Sequence, residues 1–201
     1  MDLGILISGR GSNMEAILDA IAGRKLDARA AIVVSNRPEA AGLETARRHG
    51  VPTAVVRHSE HPSREAFDAR VVEVLREAGV SVVALAGFDR LVSHVLLDAF
   101  PNRVVNIHPA LLPAFPGLHA QRQALEYGAR ITGATVHFVD EQMDHGPIIA
   151  QSAIAVQDGD DEATLSARVL AEEHRLYPAA LQLLATGAVR VSGRRVIGGL
   201  P

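Results

Sequence analysis

Short apolar runs recur along the chain, and most stop abruptly at a glycine, a proline or a few small polar residues. Residues 3–8 (LGILIS), 30–35 (AAIVVS), 51–56, 80–86 (VSVVALA) and the run ending Val104-Val105-Asn106-Ile107-His108 all read as strands. The nearly unbroken apolarity of 80–86 is the pattern of a parallel strand covered on both faces. Helical spacing fills the gaps. Met14, Ile17, Leu18 and Ile21 share one face. A second helix follows Asn36-Arg37-Pro38 and runs through Arg48 to a stop at Gly50. A third begins at Ser63, its N-cap, with Phe67, Val71, Val74 and Leu75 turned inward, and a fourth covers 91–100. Beyond His108 the pattern predicts a helix from about His119 to Tyr127 ended by Gly128, strands over 131–139 and 148–156, and an extended tail over 189–196. A long amphipathic helix over 160–184 carries Leu165, Val169, Leu176, Ala180 and Leu183 on its apolar face, which Glu172 and Glu173 interrupt. Strand and helix alternate, which predicts an α/β fold: a Rossmann-like, open, mostly parallel sheet with helices on both faces, in a single domain spanning 1–201.

Composition narrows the function classes. The chain has 201 residues, almost half of them hydrophobic, so a substantial core forms without staples. It has no cysteine, which excludes disulfides, thiolate metal sites and cysteine nucleophiles. A formal charge of −3 gives no global basic field for nucleic acid, and the lack of tryptophan weakens any base-stacking platform. No secretory signal precedes the first strand, and no apolar run approaches the ~20 residues of a membrane span, so the expected location is the cytoplasm, away from membranes. The nine histidines are dispersed without ligand spacing, so no metal is expected.

Candidate chemistry falls where the strands end, the edge at which open α/β sheets bind ligands. After the first strand, Gly9-Arg10-Gly11-Ser12-Asn13 opens a helix. A glycine turn at a helix N-terminus offers free N–H groups to an anion. Met14 takes the third glycine position of the dinucleotide fingerprint and no Lys-Ser/Thr pair is present, which favours a single phosphate; a tight turn with no ligand is the alternative. Asn106 and His108 are two apart and point the same way on a strand. An amide donor beside an imidazole suits a developing oxyanion, although a capped strand end with a core histidine gives the same letters. The proline-stiffened stretch 109–117 reads as an ordered loop shaping a site, and 140–147 (DEQMDHGP) as an acidic loop between two strands, which is either simply solvated or brings Asp144 within reach of the imidazole. No serine neighbours His108, so the set suits acyl transfer to an external nucleophile rather than through an acyl-enzyme.

These residues carry a resemblance. The segments SGRGSN (8–13), LAGFDRLV (85–92), NIHPALLPAFPGLHAQRQAL (106–125), GATVHFVDEQMDHGPII (133–149) and EEHRLYP (172–178) resemble the phosphoribosylglycinamide formyltransferase family of folate-dependent enzymes, in the same order and with similar spacing over nearly the whole chain. The resemblance implies transfer of a formyl group from 10-formyltetrahydrofolate, as co-substrate, to the amine of glycinamide ribonucleotide in purine synthesis. It implies catalysis by Asn106, His108 and Asp144. Gly11, Ser12 and Asn13 would take the substrate phosphate and Glu173 its ribose. Arg64 would hold the folate carboxylate tail. Asp89, Arg90, Leu91 and Val92, with Asp140, Glu141, Gln142, Met143 and Asp144, would line the pterin pocket, largely through backbone. His119 and His137 would support the catalytic set, and the Leu112–Pro113 bond would be cis. The partners implied are small molecules, with the protein a monomer or homodimer.

Two positions depart from the family's pattern. Asp89 stands in place of an apolar residue, commonly methionine, and Leu170 in place of a polar or basic residue near the phosphate, a loss for which Arg10 is a candidate substitute. Three other readings share parts of the pattern. A formyltetrahydrofolate hydrolase uses the same three residues with water as acceptor but normally carries an extra N-terminal domain. A methionyl-tRNA formyltransferase needs a tRNA-binding C-terminal domain. A non-catalytic nucleotide-binding regulatory module would not need Asn106, His108 and Asp144 together.

Overall fold

The structure, a computed structural model, describes residues 1–199; residues 200 and 201 of the expected domain lie outside that range. Contacts divide the chain into two compact units, Met1–Asn106 and Ile107–Pro201.

The first unit is built from strands β1 (Asp2–Ile7), β2 (Arg29–Ser35), β3 (Thr53–Val55), β4 (Val82–Leu85) and the first part of β5 (Val104–His108), with helices α1 (Ser12–Ala22), α2 (Gly42–Arg48), α3 (Arg64–Glu77) and α4 (His94–Ala99) between them. β1 pairs in parallel with β2 and β4, β2 with β3, and β4 with β5. The chain thus winds outward from β1 to β3, returns to β4 and proceeds the other way. Right-handed crossovers taken in opposite directions place α1 and α2 on one face and α3 and α4 on the other. The inward-facing residues read from the sequence are buried: Met14, Ile17 and Leu18 on α1, and Phe67, Val71, Val74 and Leu75 on α3. Ser63 caps α3 by accepting from the Ala66 N–H.

The second unit contains α5 (Ala120–Tyr127), the antiparallel pair β6 (Ile131–Phe138) and β7 (Ile148–Ala155), the long α6 (Glu162–Ala185) and a hairpin of β8 (Val189–Ser192) and β9 (Arg195–Gly198). α6 starts on a capping box between Asp161 and Thr164 and packs on β6 and β7. The seven long-sheet strands run in the order β3-β2-β1-β4-β5-β6-β7, with β8-β9 apart as a two-stranded sheet. The expected open, mostly parallel sheet is therefore observed.

Several boundaries differ from expectation. The helix expected over 91–100 starts at His94, because the N–H of Ser93 is held by the buried carboxylate of Asp68 on α3. α2 starts at Gly42, where the chain closes against Gly9: the Gly42 N–H donates to the Gly9 carbonyl at 3.0 Å, and a Cβ on Gly42 would lie 2.7 Å from Ile7 Cδ1. The extended tail is a hairpin turned at Gly193, where φ is +58°. On α6 the buried positions are Leu181 and Leu184 rather than Leu183. Of the two acids that interrupt the apolar face, Glu173 is buried and Glu172 binds Ser152 and Arg175.

Candidate active site

The glycine turn after β1 has the features an anion needs. Gly11 stands at φ +73° before α1, and no side chain caps the helix. A Cβ on Gly11 would press on both Gly42 Cα and Met14 Cε at 3.2 Å, so close packing as well as the left-handed backbone selects glycine here. Asn13 is buried and Ser12 half-buried in the first turn, and Arg10 is exposed beside them.

The end of β4 is tied to the same edge. The Ser8 N–H donates to the Gly87 carbonyl at 3.0 Å, and the Asp89 N–H to Ser8 Oγ at 2.9 Å. In the segment that follows, Val92 is buried and Leu91 is exposed. Phe88 stacks on Phe67 with ring centroids 6.4 Å apart, and the Arg90 guanidinium lies 5.7 Å from the Phe67 centroid. The Asp89 carboxylate, the departure noted in the sequence, is engaged elsewhere. Asn36 Nδ2 donates to it at 3.0 Å, and Arg37 pairs with it. Partial burial pushes this carboxyl up, but hydrogen bonds from Ser8 and Asn36 and the Arg37 charge outweigh that and leave it lower than usual. Arg64 heads α3, nearly half exposed, with Glu65 at 3.7 Å.

Asn106 is half-buried on β5, and His108 ends that strand almost fully buried. Both ring nitrogens of His108 face acceptors. Nε2 is 2.8 Å from the Phe115 carbonyl, and Nδ1 is 3.3 Å from Asp144 Oδ2. A doubly protonated ring satisfies both. Asp144, itself at φ +51°, also accepts from the Gly117 N–H at 2.8 Å. Phe115 at φ +54° and Gly117 at φ +81° belong to the proline-stiffened loop, in which the Leu112–Pro113 peptide is cis, as the resemblance implies. The Thr135 hydroxyl donates to the Ala110 carbonyl at 2.7 Å and accepts from the Leu112 N–H at 3.0 Å, which fastens that loop to β6.

His137 stands near the same carboxylate, its Nε2 3.8 Å from Asp144 Oδ1, while its Nδ1–H donates to the Phe138 carbonyl at 2.8 Å. Burial pushes its ionisation below the ordinary range, against the opposing pull of the Phe138 carbonyl and Asp144. Depressed in the fold, His137 contributes stability that is present above its unfolded value, about 6.5, and is lost as pH falls through the folded value. The wild type should therefore lose melting temperature on acidification below about pH 6.5 more steeply than His137→Gln; parallel melting profiles would refute a neutral buried ring.

The remaining expected residues fall as follows. His119 lies in an exposed turn, and the contact resolved for its ring is with Glu162 at 3.7 Å, not with His108 or Asp144. Within the acidic loop, Asp140 accepts from the Gln142 N–H and pairs with His145 at 2.8 Å, and Glu141 and Met143 are exposed. Three participants had no clear sequence signal. The Phe115 carbonyl and the Gly117 amide are backbone groups, for which Pro116-Gly117 is at most a hint. Arg194, in the hairpin turn, donates to the His145 carbonyl at 2.7 Å and so holds the acidic loop. Among the described residues no group of histidine, aspartate and glutamate side chains could hold a metal ion, and no helix is long and apolar enough to cross a membrane.

The fold is an open, mostly parallel α/β sheet, and the second unit holds a buried imidazole–carboxylate pair. The chain belongs to the formyl transferase family, whose sequence model matches residues 1–181. It is 41% identical over 191 residues to phosphoribosylglycinamide formyltransferase of Escherichia coli, covering 95% of this chain and 90% of that protein. It is 46% identical over 189 residues to the human trifunctional purine biosynthetic protein adenosine-3, covering 94% of this chain. The chain spans 14% of the length of the corresponding Drosophila pseudoobscura protein and 19% of the human one. Its fold matches the crystal structure of glycinamide ribonucleotide transformylase 1 from Symbiobacterium toebii with a TM-score of 0.98 at 52% identity, over 100% of this chain and 94% of that one.

Proposed function

We propose that this protein transfers the formyl group of 10-formyltetrahydrofolate to the amine of glycinamide ribonucleotide, in the cytoplasm, with residues 1–201 acting as one formyltransferase domain. The observation that carries the reading is the His108–Asp144 pair, in which one imidazole faces a carboxylate on one side and a carbonyl on the other.

The substrate amine attacks the formyl carbon directly, and the carbonyl oxygen becomes an oxyanion. Asn106 Nδ2 and the His108 ring donate to it. Of the two contacts His108 makes, the one to Asp144 is the longer, so the Nδ1–H is the proton most easily shared with the new anion. Asp144 balances the ring's charge and accepts the proton shed by the amine, directly or through water. As the C–N bond to the folate breaks, that proton passes to the departing nitrogen, so the products are the formamide and tetrahydrofolate. The first-turn N–H groups of Gly11, Ser12 and Asn13 take the substrate phosphate, with Arg10 beside them. Glu173 binds the ribose and Arg64 the folate carboxylate. The pterin rests on backbone of 89–92 and 140–144, which suits an Asp89 side chain already committed to Asn36 and Arg37.

The test is to mix purified protein with 10-formyltetrahydrofolate and follow loss of the formyl group with and without glycinamide ribonucleotide. Loss that depends on the ribonucleotide is expected. Equal loss without it would mean water is the acceptor and would overturn the transferase reading.

A further inference from the structure

Asp144 stands at φ +51°, a left-handed backbone that a non-glycine residue keeps only where its surroundings hold it there. On one side its own carboxylate is tied to the Gly117 N–H. On the other the chain runs into His145, and that residue is gripped from the β8–β9 hairpin turn, 49 residues further along. Arg194 Nη2 donates to the His145 carbonyl at 2.7 Å, and Nη1 lies 2.9 and 3.0 Å from the ring nitrogens Nδ1 and Nε2. The same ring meets Asp140 Oδ2 through Nδ1 at 2.8 Å, and Asp140 Oδ1 accepts from the Gln142 N–H at 3.0 Å. A neutral imidazole with its proton on Nδ1 suits both neighbours: it donates to the carboxylate and offers Nε2 to the guanidinium. Asp140 and His145, near the two ends of the acidic loop, are thus drawn together beside one guanidinium, with Asp144 between them in the chain. All these groups lie in the second unit, as His108 does.

We propose that Arg194 is a positioning residue for formyl transfer: by holding the carbonyl and ring of His145, it fixes Asp144 against His108. The assignment rests on the transferase reading. The contacts resolved for Arg194 are with His145 and Asp140, so it acts through the loop and not on the reacting atoms. It also stands outside the segments that carry the family resemblance, the last of which ends at Pro178. Its grip bears on geometry more than on stability. The arginine is 60% exposed, and an exposed ion pair contributes little to folding. Position is the more demanding quantity: Asp144 Oδ2 is 3.3 Å from His108 Nδ1, and a displacement of about 1 Å at such a site costs about 10²-fold in rate. The task suits arginine in particular. Two N–H groups of one planar fork meet the carbonyl and the ring together, whereas a lysine ammonium is a single point on a flexible stem.

The full-length protein is compared with Arg194→Ala, Arg194→Lys and Arg195→Ala, the last removing an equal charge from the next position. For each, kcat, KM and melting temperature are measured, and the Gly117 amide is followed by NMR, because its partner is Asp144 Oδ2. Arg194→Ala should lower kcat about 10–10²-fold, leave KM for the ribonucleotide within about twofold, and shift the Gly117 amide, with the melting temperature close to wild type. Arg194→Lys should fall between the two, since it keeps one donor for the His145 carbonyl. Added ethylguanidinium should restore part of the kcat of Arg194→Ala and leave the wild type unchanged. Wild-type turnover with an unmoved Gly117 amide in Arg194→Ala would overturn the proposal. So would a loss of kcat that Arg195→Ala shares, or one that follows the melting temperature while the amide stays in place. A shifted Gly117 amide in a protein with no ribonucleotide-dependent transfer would sink the transferase reading and leave the clamp on the loop standing.

Discussion

Asp144→Asn should lower kcat by about 10²–10⁴-fold with little change in melting temperature, and His108→Ala by at least about 10²–10³-fold. The asparagine keeps an oxygen for the Gly117 N–H, so the loop stays in place. What disappears is the negative charge 3.3 Å from His108 Nδ1, together with the group proposed to receive the amine's proton. The loss should therefore appear in kcat, with KM for both substrates changed far less, because the charge acts on the transition state more than on the bound substrates. Steady-state kinetics with both substrates varied, alongside thermal melting, is the measurement. Turnover within a few-fold of the wild type in either variant would remove that residue from the proton path.

Gly146→Ala should cost about as much activity by a different route, and stability as well. The glycine lies where the acidic loop turns back into β7, and a Cβ there would sit 1.8 Å from the Phe138 carbonyl oxygen and 3.3 Å from the Asp140 nitrogen. Neither is the end of a flexible side chain, so the backbone itself has to move. Overpacking of this kind costs about 1–3 kcal/mol or more. A shift of ~1 Å in the loop that carries Asp144 is worth about 10²-fold in rate. Gly159→Ala is the control: nothing lies within 4 Å of its added carbon. Comparing kcat and melting temperature for the two variants tests the idea. Equal behaviour would mean that the loop's path does not depend on the bare glycine.

The strands were legible because the core imposes their pattern on the letters. VSVVALA has to be apolar on both faces, and β4 is buried at every position. The spacing of Asn106 and His108 on β5 was legible for a related reason: alternation along a strand is local. What escaped the sequence reading is non-local. The start of α4 is set by Asp68, 25 residues earlier, whose carboxylate takes the Ser93 N–H. Asp89 looked like a flaw at the pterin edge until its partners, Asn36 and Arg37, were seen more than fifty residues away in the chain. The Phe115 carbonyl and Gly117 amide bring no side-chain chemistry, so no residue type announces them. His119 illustrates the opposite case: its place in a motif suggested a supporting role, and the fold turns it to Glu162.

Asp144 Oδ2 is the single atom that receives both the Gly117 N–H and the Nδ1 side of His108. The proline-rich stretch and the acidic stretch are thereby latched through one oxygen, without a covalent tie. A proton taken on the other oxygen, Oδ1, leaves Oδ2 accepting, so the carboxylate can be neutralised while the two stretches stay joined.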